Sequence, residues 1–116
     1  MDPEQMKRRT KEFAKRVIHL CRQLPNTREA RLIGDQLFRS GTSVGANYRA
    51  ACRARSRADF ISKMGVVLEE ADESLYWMEI LAETKIMKAD LLAPLMQEAD
   101  ELVAIFVSSL NTAKGK

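Results

Sequence analysis

The sequence predicts an all-α protein folded as an antiparallel, up-down four-helix bundle. Three observations carry this. Apolar residues recur at three- and four-residue spacing in four separate segments. Helix-opening residues precede those segments at Asp2, Asn26 or Thr27, and Ser56. No alternating apolar–polar stretch, Asn-Gly hairpin, repeat or low-complexity tract competes with them. At 116 residues and 46% apolar content the chain makes one domain, 1–116, with a core of its own.

The first helix is expected to start at Asp2 as N-cap, with Pro3 at its first position and Gln5 closing a box. Its inward stripe is Met6, Thr10, Phe13, Val17, Leu20 and Leu24, and Pro25 is expected to stop it. The second helix opens with Glu29 in its first turn and runs inward through Ile33, Leu37, Gly41, Val44, Tyr48 and Cys52. Ser56-Arg-Ala-Asp59 fits a capping box for the third, whose stripe is Phe60, Met64, Val67/Leu68, Ala71, Leu75, Met78 and Ala82. A turn near Lys85–Asp90 leads to the fourth, with Leu92, Leu95/Met96, Ala99, Leu102/Val103, Phe106 and Leu110 inward and Pro94 in or near its first turn. Long helices joined by short loops are antiparallel neighbours.

The third helix has apolar residues beyond its core stripe. Val66, Trp77 and Ile80 fall on a second face among Glu69, Glu70 and Glu73, and Trp77 is the sole tryptophan. A second apolar face of this kind suits a subunit interface, so a homo-oligomer is expected.

Charge is distributed unevenly. The chain carries a net +3, but residues 1–58 hold 14 Lys and Arg against 5 Asp and Glu, a net +9, and residues 59–116 hold 5 against 11, a net −6. Residues 39–57 contain five arginines and no acidic residue. Projected at about 100° per residue, Arg28, Arg31, Arg39, Arg49, Arg53 and Arg57 share an arc of roughly 80° opposite the apolar stripe. Gly34, Gly41 and Gly45 flank that stripe, where small residues let a neighbouring backbone approach. Arg55 falls on the apolar side of the projection, so it is expected to snorkel or to sit at a frayed helix end, and Arg57 also fits the start of the third helix. Guanidinium groups match phosphate oxygens bidentately, so the arginines of residues 39–57, with no acid among them, suit a nucleic-acid backbone, while Asp35 on the same arc is expected to neutralise part of the patch. Lys7, Arg8, Lys11, Lys15 and Arg22 of the first helix enlarge the basic area. With few exposed aromatics, binding is expected to be backbone-led and weakly sequence-selective. The competing reading is a scaffold whose basic and acidic halves pair between subunits.

Catalytic chemistry is not apparent. Gly41-Thr-Ser-Val-Gly45 lacks the spacing and the Gly-Lys-Ser/Thr of a phosphate loop. His19 is the single histidine, no Glu-x-x-His occurs, and Cys21 and Cys52 lack Cys-x-x-Cys spacing. The expectation is no enzyme activity, no metal, no cofactor and no small-molecule substrate. A charged N-terminal segment and the lack of any long apolar run point to a cytoplasmic protein without a membrane partner.

Residues 39–81, "RSGTSVGANYRAACRARSRADFISKMGVVLEEADESLYWMEIL", closely resemble the bacterial four-helix-bundle proteins encoded by 23S rRNA intervening sequences. "GDQLFRS" at 34–40 and "LVAIFVSSLNTAK" at 102–114 extend the resemblance over most of the chain. The resemblance implies an up-down bundle assembling as a homo-oligomeric ring, a pentamer. It matches the family's basic positions to Arg39, Arg49 and Arg53 and brings no catalytic residues. Structured RNA is the expected ligand of a face comprising Arg39, Arg49, Arg53 and Arg57.

Overall fold

The computed structural model describes residues 2–116, so that Met1 of the expected 1–116 domain lies outside the described residues. Four helices follow one another along the chain: α1 (Pro3–Cys21), α2 (Arg28–Cys52), α3 (Arg57–Glu83) and α4 (Ala89–Ala113). They pack up and down in an elongated bundle of 45 × 21 × 21 Å. Among the described residues there is no strand, and no helix is long and apolar enough to cross a membrane.

Each helix start follows from local chemistry. Asp2 Oδ1 accepts the Gln5 N–H at 2.8 Å, and Gln5 Oε1 accepts the Asp2 N–H at 3.3 Å, a complete capping box. Thr27 accepts the Ala30 N–H at 3.3 Å, which selects Thr27 over Asn26 as the α2 cap. Ser56 accepts the Asp59 N–H at 3.0 Å, but the Asp59 carboxylate reaches one residue further back, to the Arg55 N–H at 3.1 Å. The α3 box is thus displaced by one residue. Lys88 caps α4 without a side-chain bond. The α3–α4 turn relies instead on Lys85 at φ 61° and on the Met87 N–H, which donates to the Leu81 carbonyl at 3.2 Å.

The structure sharpens three boundary expectations. Helix α1 ends at Cys21, before Pro25, and Leu24 packs from the loop against the core. Pro94 lies inside α4, beyond its first turn, on the exposed side where a lost N–H bond is replaced by solvent. Arg55 sits in the α2–α3 linker, exposed, because α2 stops at Cys52; the helical projection does not apply to it.

The core contains the predicted stripes. Phe13, Val17, Leu37, Val44, Met64, Val67, Met78, Leu92, Leu102 and Phe106 are fully buried, and Tyr48 stacks on Phe106 with ring centroids 6.2 Å apart. Across the α2–α3 seam the Ser74 hydroxyl donates to Ser40 Oγ at 3.0 Å, and the Ser40 hydroxyl in turn donates to the Leu37 carbonyl at 3.3 Å, so both buried hydroxyls are satisfied. At the α1–α4 seam, Arg9 closes the bundle with bonds to Glu98 at 2.8 and 2.9 Å and to Glu101 at 2.8 Å. The Glu98 hydrogen bond raises the Arg9 pKa further and outweighs the desolvation that opposes it.

Candidate nucleic-acid interface

The glycines of α2 determine where the basic side chains gather. A Cβ at Gly41 would lie 2.7 and 2.8 Å from the two methyls of Val17, and one at Gly45 would lie 3.2–3.3 Å from Thr10 backbone and hydroxyl atoms. A side chain at Gly41 would displace Val17 and one at Gly45 would press on Thr10, so α1 and α2 run in close contact. Their outward-facing cations consequently converge on one open groove of about 480 Å³ between the two helices. Its floor is small and uncharged, made by Ala14, Thr42, Gly45 and Ala46. Its walls carry Lys7, Arg8 and Lys11 from α1 and Arg49 and Arg53 from α2, against one carboxylate, Glu4. Glu4 is engaged by Lys7 at 3.1 Å. Among the described residues Arg8, Lys11, Arg49 and Arg53 make no salt bridge. Five cations facing one acid create a positive potential that phosphates would neutralise.

The other expected arginines are placed differently. Arg39 is turned toward α3, where its guanidinium bonds Glu70 at 3.1 Å and also contacts Glu73. Glu73 in turn accepts the Trp77 indole N–H at 2.9 Å. Arg39 therefore has carboxylate neighbours after all; they come from the adjoining helix and were invisible as near neighbours in the chain. Arg57 is the first residue of α3, and its Nε–H donates to the Ala113 carbonyl at the end of α4, complementing that helix's C-terminal dipole. Arg28 and Arg31 sit at the far end of α2, where Arg31 bonds Asn26 at 2.8 Å. Lys15 pairs with Glu12 at 3.3 Å and lines the separate α1–α4 cleft, and Arg22 is the exposed C-cap of α1. Of the expected face, Arg49 and Arg53 meet the α1 cations; Arg39 and Arg57 do not line the groove.

Antiparallel pairing held the clue to Glu73. Arg39 and Glu73 are equidistant along the chain from Ser56, the residue around which α2 and α3 fold back, so they reach the same height in the bundle.

On α3, Val66 is 42% exposed, whereas Trp77 and Ile80 are half-buried. Tyr76 is 52% exposed and packs edge-on against Trp77 with ring centroids 5.0 Å apart. Reactive side chains are few. Both cysteines are free and half-buried, and burial, aided by Asp35, pushes the Cys21 thiol up to about 11, which makes it a poor nucleophile. Burial, then a bond with Cys52, raises Tyr48. Among the described residues no three His, Cys, Asp or Glu side chains are grouped so as to hold a metal ion.

Fold and groove together define an up-down four-helix bundle with one cationic face and one partly apolar face. The chain belongs to the 23S rRNA-intervening sequence protein family, whose model it matches over residues 4–108. It is also similar to a crystallographically solved protein of unknown function from the S23 ribosomal protein family of Bacteroides thetaiotaomicron. The two are 35% identical with a TM-score of 0.87, over 96% of this chain and 99% of that one. No curated protein matches the chain.

Proposed function

We propose that this protein is a non-enzymatic, homo-oligomeric bundle that binds nucleic acid, with structured RNA as its ligand, through phosphate contacts in the α1–α2 groove. The observation that carries the reading is the convergence of Lys7, Arg8, Lys11, Arg49 and Arg53 on one groove whose lone acid, Glu4, is already paired. Small side chains on the floor let a backbone approach, and no aromatic in the lining offers a base-stacking platform. Contacts of this kind position a ligand without reading its sequence. The family description refers to intervening sequences of 23S rRNA, which makes RNA the first ligand to test.

Oligomerisation through the outer face of α3, with Val66, Trp77 and Ile80, would repeat the groove around a ring and multiply weak phosphate contacts by avidity. The scaffold reading draws support from Arg39, which already joins the basic half of the chain to Glu70 and Glu73 of the acidic half. In that reading further pairs of this type hold subunits together, and salt would dissociate them. Light scattering and anisotropy of labelled RNA and DNA, each followed across salt concentrations, separate the two. The nucleic-acid reading expects an oligomer that persists in salt, is weakened by Trp77→Ala, and binds both polymers with salt-sensitive affinity. A monomer at micromolar concentration contradicts the oligomer. An oligomer that dissolves in salt and binds neither polymer favours the scaffold.

A further inference from the structure

The basic surface continues beyond the α1–α2 groove. Arg53, the C-cap of α2, lines that groove and also a second open cleft, shared with Ala50, Arg55, Asp59 and Lys63. The second cleft lies on the α3 side of α2, so the two meet around the end of that helix at one arginine. It brings three cations to one carboxylate. Asp59 is already engaged: it holds Lys63 Nζ at 2.7 and 2.8 Å and accepts the Arg55 N–H at 3.1 Å. Arg53 and Arg55 are exposed and, among the described residues, make no salt bridge.

We infer that the two clefts form one phosphate track that turns around the C-terminal end of α2, and that the ligand it takes is single-stranded nucleic acid. The inference rests on the nucleic-acid reading and specifies the polymer. The track passes from the α1 side of α2 to its α3 side within a bundle 21 Å across. A duplex is straight on that scale, because its persistence length is about 50 nm. It can touch one cleft or the other but cannot follow both. A single strand bends freely and can place successive phosphates at Lys11, Arg49, Arg53 and Arg55. In a folded RNA the gripped segment is then an unpaired loop or end, the part of RNA that is open to proteins.

The test is anisotropy with labelled RNA strands of about four and about 12 nucleotides, and with a blunt duplex of the longer strand. Full-length wild type is compared with Arg55→Ala and with Arg55→Ala/Lys63→Ala, their folding verified by thermal melting. Arg55 lies in an exposed linker, so its single variant keeps the test valid should the double variant melt early. The track predicts that loss of Arg55 lowers the affinity of the longer strand about fivefold at about 0.1 M salt, as for one lost phosphate contact. Lys63→Ala removes no further contact, since Asp59 already holds Lys63, but it bares the Asp59 carboxylate and weakens binding further. Four-nucleotide and duplex binding stay unchanged. Equal losses for strand and duplex, or no loss for the longer strand, would overturn the track and leave the groove reading standing. Absence of binding by wild type to every probe at low salt would instead remove the groove reading, and the track with it.

Discussion

Arg39 and Arg49 lie on the same helix about 15 Å apart, and their surroundings differ in kind. Arg39 faces α3 and is held by Glu70 and Glu73; Arg49 faces α1 and shares its groove with four other cations and a single acid, Glu4, that Lys7 already engages. The difference comes from the neighbouring helix. The α3 surface at that height is acidic, whereas α1 carries Lys7, Arg8 and Lys11. A run of arginines in a sequence is therefore not one surface: the adjacent element decides which of them retain charge available to a ligand.

The contrast can be broken first by separating the helices. Gly41→Leu forces a branched side chain onto Val17, whose Cβ and methyls already crowd the position, and should cost about 3 kcal/mol as overpacking. Gly65 is the internal control. A Cβ there meets nothing within 4 Å, so Gly65→Ala should stabilise by about 0.5–1 kcal/mol through helix propensity alone. Denaturant melts of both variants would show opposite signs. Destabilisation by both would mean that the close α1–α2 contact is not what singles out Gly41.

Ion pairs offer a second comparison. Arg9 and Glu98 at the α1–α4 seam are 23% and 16% exposed, so Arg9→Ala leaves a largely buried carboxylate without its partner and should cost about 2 kcal/mol. Arg39 is 48% exposed, and solvent screening limits Arg39→Ala to less than about 1 kcal/mol despite its two acidic partners. Equal melting shifts in the two variants would contradict this ranking.

Acid should produce the smallest effect. Asp59 is held below its ordinary range by its Lys63 hydrogen bond and then by the Arg55 N–H, and Glu101 by Gln97 and then by Arg9. Carboxyls with lowered folded pKa add stability that is fully present above their unfolded values near 4 and lost as pH falls through the folded ones. The melting temperature should therefore decline below about pH 4, and Asp59→Asn should flatten that decline. An acid limb unaltered by the substitution would place the sensitivity elsewhere.

Much of this architecture was legible in the sequence because it depends on near neighbours. Asp2 with Gln5, Thr27 with Ala30 and Ser56 with Asp59 mark helix starts through contacts spanning three residues, and the stripes through Phe13, Leu37, Met64 and Phe106 reflect helical period alone. Quantities depending on the rotation of one helix against another were not legible. The Arg39–Glu70/Glu73 contact, the Ser40–Ser74 bond and the Arg9 link to Glu98 and Glu101 all join residues far apart in the chain. Arg49 and Arg53 were identifiable as basic positions, but their convergence with Lys7, Arg8 and Lys11 required the helix contact that Gly41 and Gly45 permit. Arg57 opens α3, a placement the sequence already allowed, but the turn of its guanidinium to the end of α4 was not legible.

The salt dependence of RNA binding in matched arginine variants addresses the groove most directly. Each phosphate contact to a single strand contributes about 0.7 to the slope of log affinity against log salt. Arg49→Ala/Arg53→Ala should therefore lower that slope by roughly 1.4, with similar losses across RNA sequences. Arg39→Ala, whose charge is already met by Glu70 and Glu73, should leave the slope of the intact protein nearly unchanged. An unchanged slope in the double variant, or a larger loss from Arg39→Ala, would contradict the assignment of phosphate binding to the α1–α2 groove.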